Sequence, residues 1–77
     1  MTGRLTFEYD REGDILTLSK RPPYPEQASE ELGDDVIARM NPATGEIESL
    51  EILFFSARLQ ASQPFDLPVD VDLRPAI

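Results

Sequence analysis

The chain has 77 residues, a formal net charge of −8, no cysteine and no histidine. These counts exclude disulfide bridges and the nitrogen and sulfur ligands that zinc prefers. A domain this short buries only about 60% of its unfolded surface, so we expect one domain that gains stability by forming a homodimer.

The charge is unevenly distributed. Residues 1–21 hold four basic and four acidic side chains, whereas the rest of the chain holds three basic and eleven acidic ones. Such a surface repels phosphate backbones and attracts basic proteins, which disfavours nucleic acid as a partner. No signal-peptide pattern opens the sequence, and its longest apolar run, ILFF at 52–55, is too short to span a bilayer. We therefore expect a cytoplasmic protein with no membrane contact.

Residues 5–19 have the pattern of a β-hairpin. Leu5, Phe7 and Tyr9 alternate with polar residues, and ILTLS at 15–19 is rich in strand-forming residues. DREGD at 10–14 separates the two strands, and Gly13 is expected to take a left-handed turn position.

The segment 20–35 indicates a connection. Pro22, Pro23 and Pro25 remove backbone donors and favour an extended crossover loop. ASEELGDD at 28–35 is acidic, and we expect at most one helical turn there, capped by Ser29. The acidic residues of this segment are either simply solvated or dock the arginines of a partner. They are Glu30, Glu31, Asp34 and Asp35.

A second hairpin is predicted over 35–54. DVIARM at 35–40 and EIESLEILF at 46–54 are its strands, and NPATGE at 41–46 is its turn. Asn41 can start this turn, Pro42 fits its second position, and Gly45 takes a left-handed conformation.

After the second hairpin, FSARLQASQ at 55–63 loses the strand period and favours a short helix capped by Ser56. Residues 64–77 then return to strand spacing, with apolar residues alternating with aspartates. The apolar positions, which we predict to contact a partner or a second subunit, are Phe65, Leu67, Val69, Val71 and Leu73. Because Pro64 and Pro68 cannot donate to a ladder, we predict an edge strand here, with a disordered tail as the alternative.

These elements predict an α+β, mostly β fold: a small antiparallel sheet of two β-hairpins with one short helical segment and a C-terminal edge strand. We expect residues 1–63 to form a β-rich domain and 64–77 an extended arm. Period two on each strand predicts the core, with either Phe55 or Leu59 closing over it. The predicted core residues are Leu5, Phe7, Leu16, Leu18, Val36, Ile47, Leu50, Ile52 and Phe54.

The two hairpins resemble the bacterial domain-of-unknown-function family 2283. YDREGDILTLS at 9–19 is similar to the Tyr-Asp-x-x-x-Asp-x-Leu hairpin of that family, and DDVIARMNPATGEIESLEILFFSARL at 34–59 to its second hairpin. The matching positions are Tyr9, Asp10, Asp14, Leu16, Asp35, Val36, Ile37, Gly45, Ile47, Glu51, Ile52 and Leu53. Ser49 departs from the pattern. The resemblance implies a small β-rich bacterial domain without an assigned activity. Because some members are neighbours of toxin-like proteins, it also implies a possible antitoxin role.

Catalysis, metals and cofactors are not expected. Neither histidine nor cysteine is present, and a sheet this small does not enclose a deep cleft. Asp10, Glu12 and Asp14 have the spacing of half a calcium loop, but Ile15 and Arg21 occupy the positions that require glycine and glutamate. We expect Asp10 to bond its own backbone instead.

Two hypotheses for function follow. One is a non-enzymatic interaction module that self-associates. The alternative is an antitoxin-like inhibitor of a small basic protein.

Overall fold

A computed structural model describes residues 4–76, which form one antiparallel sheet and one short helix. The elements are β1 (Thr6–Asp10), β2 (Ile15–Ser19), β3 (Ala28–Gly33), β4 (Val36–Met40), β5 (Ile47–Leu53) and α1 (Phe55–Gln60). The strand order is β1-β2-β5-β4-β3, and every neighbouring pair is antiparallel. This architecture confirms the mostly β fold class. No helix among the described residues is long and apolar enough to cross a membrane.

The first hairpin forms as predicted, but a different residue bends its turn. The Asp10 carboxylate accepts hydrogen bonds from the amides of Glu12 and Gly13, at 3.1 and 3.2 Å, as expected. The left-handed position belongs to Asp14, with φ of 57°, and not to Gly13. Glycine suits position 13 for another reason, since a Cβ there would lie 2.8 Å from an Asp10 carboxylate oxygen and would force that side chain to shift.

The 41–46 turn of the second hairpin is confirmed. Asn41 Oδ1 accepts from the amides of Ala43 and Thr44, at 2.8 and 3.3 Å. Gly45 has φ of 77° and donates its amide to the Asn41 carbonyl at 2.8 Å. The side chain of Asn41 therefore substitutes for backbone partners in the tightest part of the turn.

The strand β3 was not predicted, and no helical turn forms at Ser29, which lies within this strand. β3 pairs with β4 through a two-residue turn, in which Asp34 and Asp35 have φ of 52° and 61°. Positive φ at both central residues matches the twist of a hairpin, and aspartate tolerates it better than most residues. The acidic stretch thus becomes the outer strand of the sheet.

The core lies between the central strands and is smaller than predicted. Val36, Ala38, Leu50 and Ile52 are buried, and the partly buried Leu16, Leu18, Ile47 and Phe55 pack against them. Of the two residues predicted as alternatives to close over the core, Phe55 packs against it and Leu59 is exposed. Three other predicted core residues are exposed: Leu5, Phe7 and Phe54. The first two lie in or beside an edge strand, beyond the side chains that cover the sheet. Phe54 has φ of 53°, so the strand ends before this residue and its side chain does not continue the alternation of β5.

The C-terminal edge strand is also wrong for the described residues, since 64–76 contain no strand. Pro64 and Pro68 lack the amide protons that a ladder needs, and Val69 donates its amide to the Leu67 carbonyl at 2.8 Å in a tight local turn. This segment packs on one face of the sheet, through Phe65, Leu67 and Val69. Ile77, the last residue of the predicted strand, lies outside the described range.

Cross-strand pairing assigns the side chains to two faces. The apolar face carries Phe7, Tyr9, Leu16, Leu18, Val36, Ala38, Leu50 and Ile52. The helix and the C-terminal segment lie on this face, because Phe55, Phe65 and Leu67 pack against its core. The polar face carries Thr6, Glu8, Thr17, Ser19, Ser49, Glu51, Arg39 and Ser29.

Candidate functional site

The five C-terminal residues predicted to contact a partner fall into two groups. Phe65, Leu67 and Val69 are partly buried against the chain's own core. The Arg58 guanidinium carbon lies 3.8 Å from the centre of the Phe65 ring, which adds a cation–π contact to that packing. Val71 and Leu73 are 71% and 75% exposed. This second pair is therefore more accessible to another molecule than the first three residues.

The edge strand β1 is the most exposed apolar part of the sheet. All five of its residues are exposed, and β1 pairs only with β2 in the described sheet. Phe7 and Tyr9 lie on its apolar side, followed towards the N-terminus by Leu5, and Phe7 is 66% exposed. An edge strand whose outer backbone groups are free and whose side chains are apolar is a template for pairing with another strand. Sequence patterning missed this surface because it does not reveal which strand lies at the edge.

The opposite edge strand, β3, has a different chemistry. Glu30 and Glu31 are exposed on it, and Asp34 and Asp35 follow in its turn. None of these four carboxylates forms an ion pair within residues 4–76. Charged residues at an edge discourage strand pairing, so the two edges of the sheet differ in their capacity to associate.

Asp14 connects the first hairpin to the helix. Its Oδ1 accepts from the Tyr9 hydroxyl at 2.6 Å and from the Ser56 amide at 2.9 Å, while Oδ2 accepts from the Ser56 hydroxyl at 2.7 Å. Ser56 is therefore not the N-cap that its sequence position predicted, and Asp14 supplies the acceptor for the first turn from a distant loop. The Tyr9 hydroxyl, followed by the two Ser56 donors, holds the pKa of Asp14 below its ordinary value. The same bond to Asp14 raises the pKa of Tyr9.

Glu48 anchors the proline-rich loop to the sheet. Its side chain is only 5% exposed, and a bulge leaves it out of the β4–β5 pairing, since Arg39 pairs with Ser49 and Met40 with Ile47. The Tyr24 hydroxyl donates to Glu48 Oε1 at 2.5 Å, and the Gln27 amide nitrogen donates to the same oxygen at 3.0 Å.

The second Glu48 oxygen is satisfied from two further segments. Asn41 Nδ2 lies 3.4 Å from Oε2, and the Arg21 guanidinium lies 3.5 Å from it. The hydrogen bond from Tyr24, followed by that from Gln27, outweighs the effect of burial and lowers the pKa of Glu48. The carboxylate is therefore ionised at neutral pH and works as a structural hub with its acceptors already occupied.

The polar face holds an ion pair that a serine hydroxyl joins. Arg39 donates to Glu51 Oε1 from Nε at 3.1 Å and from Nη2 at 2.9 Å, and its Nη1 donates to Ser29 at 2.7 Å. A shallow depression beside this pair is lined by hydroxyl and charged side chains, with Pro23 at its rim. Within the described chain, no three acidic residues are grouped so that they could hold a metal ion.

The hydrogen bonds of the first hairpin give a structural reason for its Tyr-Asp-x-x-x-Asp sequence pattern. The chain is a small β-rich domain built on a five-stranded antiparallel sheet. Asp10 closes the first turn of this sheet, and Tyr9 and Ser56 donate hydrogen bonds to Asp14. The chain matches the family model described as "Protein of unknown function (DUF2283)" over residues 6–56. This match spans more than half of the chain, which therefore belongs to that family. No curated protein and no solved structure matched the chain.

The family match ends at Ser56, the last residue of the Asp14 cluster. Three residues carry the resemblance in the first hairpin: Tyr9, Asp10 and Asp14. Their side chains form hydrogen bonds within the hairpin itself and do not line a cleft. Sequence reasoning missed the Glu48 hub, although a glutamate among apolar strand residues was a signal for it. The candidate functional surface is the β1 edge, because it combines free backbone groups with exposed apolar side chains.

Proposed function

We propose that this protein is a non-enzymatic module that functions by self-association into a dimer through the edge strand β1. The observation that carries the proposal is the exposure of Phe7 on a strand that has one free edge. A small sheet whose core consists of four buried side chains gains stability when a second subunit pairs with its free edge and packs apolar side chains beside its own. The lack of cysteine and the acidic composition favour a cytoplasmic setting for this role.

The sign of the charge at each edge supports the choice of β1. Glu30 and Glu31 on β3 would meet the same residues of a second copy across a β3–β3 contact centred on them, which like-charge repulsion disfavours. Around β1, by contrast, Arg4 and Arg11 balance Glu8 and Asp10. A second copy can therefore approach the β1 edge without net repulsion between the two strands.

The solution mass of two matched variants tests this proposal. We expect light scattering to give twice the chain mass for the wild type and the chain mass for Phe7→Lys, with an unchanged circular dichroism spectrum. Val71→Lys is the control, because Val71 is similarly exposed but lies in the C-terminal segment. If Val71→Lys were monomeric while Phe7→Lys remained dimeric, the dimer contact would lie in the C-terminal segment and not on β1. A monomeric wild type at all concentrations would refute self-association.

An inhibitor of a small basic protein is the second candidate. It is favoured by the four unpaired carboxylates on β3 and its turn, where arginine side chains of a partner would find free acceptors. The test is calorimetric titration with a small basic protein encoded beside this one. We expect binding to weaken in Glu30→Gln/Glu31→Gln and with added salt, whereas Phe7→Lys should bind equally well. Equal binding by the glutamine variant would exclude this surface.

A further inference from the structure

We infer that the partner of β1 is the same strand of a second copy, paired antiparallel about a twofold axis that passes between the two Phe7 residues. This inference rests on the proposed self-association and specifies its register. The result is a continuous ten-stranded sheet, formed from the five strands of each copy. Adding a strand to an open edge uses backbone groups that are otherwise left to solvent.

Symmetry restricts the pairing to a few registers. Only an axis perpendicular to the sheet joins edge to edge and keeps the apolar face of one copy continuous with that of the other. Directly paired residues then point to the same face, so an odd-numbered residue must oppose an odd-numbered one. The axis must therefore pass through a residue of β1, which runs from Thr6 to Asp10. An axis at Tyr9 would oppose Glu8 to Asp10, and an axis at Asp10 would oppose the two Asp10 carboxylates, so repulsion leaves Thr6, Phe7 and Glu8.

Charge and apolar pairing select Phe7 from these three. With the axis at Phe7, Arg4 opposes Asp10 twice, Leu5 opposes Tyr9 twice, and the two Phe7 rings meet. The apolar pairs extend the apolar face, and the two Arg4–Asp10 pairs lie on the polar face. All seven residues from Arg4 to Asp10 find partners.

The other two registers are poorer. An axis at Glu8 places the two Glu8 carboxylates directly opposite each other, which is repulsive. An axis at Thr6 also opposes Arg4 to Glu8, but it is centred on the first residue of β1 and opposes Phe7 to Leu5 instead of to a second aromatic ring. The Phe7 register combines opposite charges with a central aromatic pair.

Disulfide crosslinking between single introduced cysteines identifies the register directly, because the wild-type chain contains no cysteine. Directly opposed residues have Cα atoms about 4.5–5.5 Å apart, within the range for a disulfide, whereas residues two positions removed lie beyond about 7 Å. Under a glutathione redox buffer, Phe7→Cys should form a covalent dimer. Thr6→Cys and Glu8→Cys, each at the centre of a rejected register, should remain uncrosslinked, as should Glu31→Cys on the β3 edge.

A double-mutant cycle tests the ion pairs. Arg4→Gln and Asp10→Asn each remove one charge, and the asparagine retains the acceptor that the turn amides use. Two exposed pairs predict a roughly 2- to 30-fold rise in the dimer dissociation constant for either variant. The double variant should be no weaker than the worse single variant, because both remove the same interaction. Arg11→Gln is the control, since it removes an equal charge just outside the paired segment.

The outcomes separate the register from the proposed function. Efficient crosslinking of Thr6→Cys or Glu8→Cys, or additive effects of Arg4→Gln and Asp10→Asn, would overturn the Phe7 register while leaving a β1 dimer. Crosslinking of Glu31→Cys alone would move the contact to β3. A dimer that Phe7→Lys fails to dissociate, or a wild type that stays monomeric, would overturn both the β1 surface and its register.

Discussion

Ile52 is the residue through which the central strands pack most directly. It is 3% exposed and pairs with Leu16 on one side and Val36 on the other. Truncating a buried isoleucine removes apolar contacts and leaves a cavity that the neighbouring strands cannot fill completely. Because so few side chains are fully buried here, we expect no alternative packing to compensate.

Replacing Ile52 with alanine should therefore lower the free energy of unfolding by about 2–5 kcal/mol. Urea denaturation of both proteins at the same concentration measures this loss under equal mass action of dimer association. Leu59→Ala is the matched control, since that side chain is largely exposed and its removal should change stability by less than about 0.5 kcal/mol. Equal effects of the two substitutions would contradict the assignment of Ile52 to the core.

At the same scale, sequence patterning identified side chains that face inward on central strands and failed on those at the edge. Leu16, Leu18, Val36, Leu50 and Ile52 were all placed correctly. Leu5 and Phe7 have the same alternation but lie beside the free edge of the sheet. Alternation reports which face a residue points to, whereas the amount of covering structure above that face depends on strand order, which is a tertiary property.

Asp14 fixes the helix α1 to the first hairpin, and this junction depends on ionisation. Its pKa is lower in the folded chain than the ordinary value of about 3.9 that an unfolded chain would show. The stabilisation is therefore complete above that ordinary value and is lost as pH falls through the lowered folded pKa. Glu48 contributes with the same sign, because its folded pKa is also lowered.

We expect the melting temperature of the wild type to fall as pH is lowered from about 5 towards 2, over the range in which these carboxylates protonate. Asp14→Asn should melt lower at pH 7 and lose less on acidification, so that the two curves converge at low pH. Asparagine also tolerates the left-handed backbone at this position, which confines the change to charge and hydrogen bonding. Asp70→Asn, at an exposed position, should reproduce the wild-type curve. Parallel curves for Asp14→Asn and the wild type would contradict the role of Asp14.

Among the elements, turns were predictable where one side chain closes them locally, as Asn41 does. The strand β3 and the C-terminal segment were not, for opposite reasons. β3 is acidic, so its composition hides a strand that forms by pairing with β4. The apolar residues of the C-terminal segment have a clear period of two. That period indicates an extended chain with one buried side, and such a chain packs across the face of a sheet as well as it pairs with an edge.

On the scale of the whole molecule, the sheet needs a second layer, and the C-terminal segment supplies part of it. A sheet with one apolar face is stable only when another layer covers that face. Phe65, Leu67 and Val69 pack against the core of four buried residues, while Val71 and Leu73 extend past it. The first three residues of the predicted partner contact at the C-terminus thus pack against the same chain, and the contact with a partner stays a prediction.

Two truncations distinguish residues of the C-terminal segment that cover the sheet from residues that hold the dimer together. Removing residues 70–77 deletes only exposed apolar side chains of the described segment, so we expect an unchanged melting temperature and an unchanged dimer mass in light scattering. Removing residues 64–77 also strips Phe65, Leu67 and Val69 from the sheet, which exposes apolar surface around Leu50 and Ile52. That variant should unfold at a markedly lower temperature or aggregate. A monomeric and equally stable 70–77 truncation would instead show that Val71 and Leu73 hold the dimer together, and would exclude β1 as its main contact.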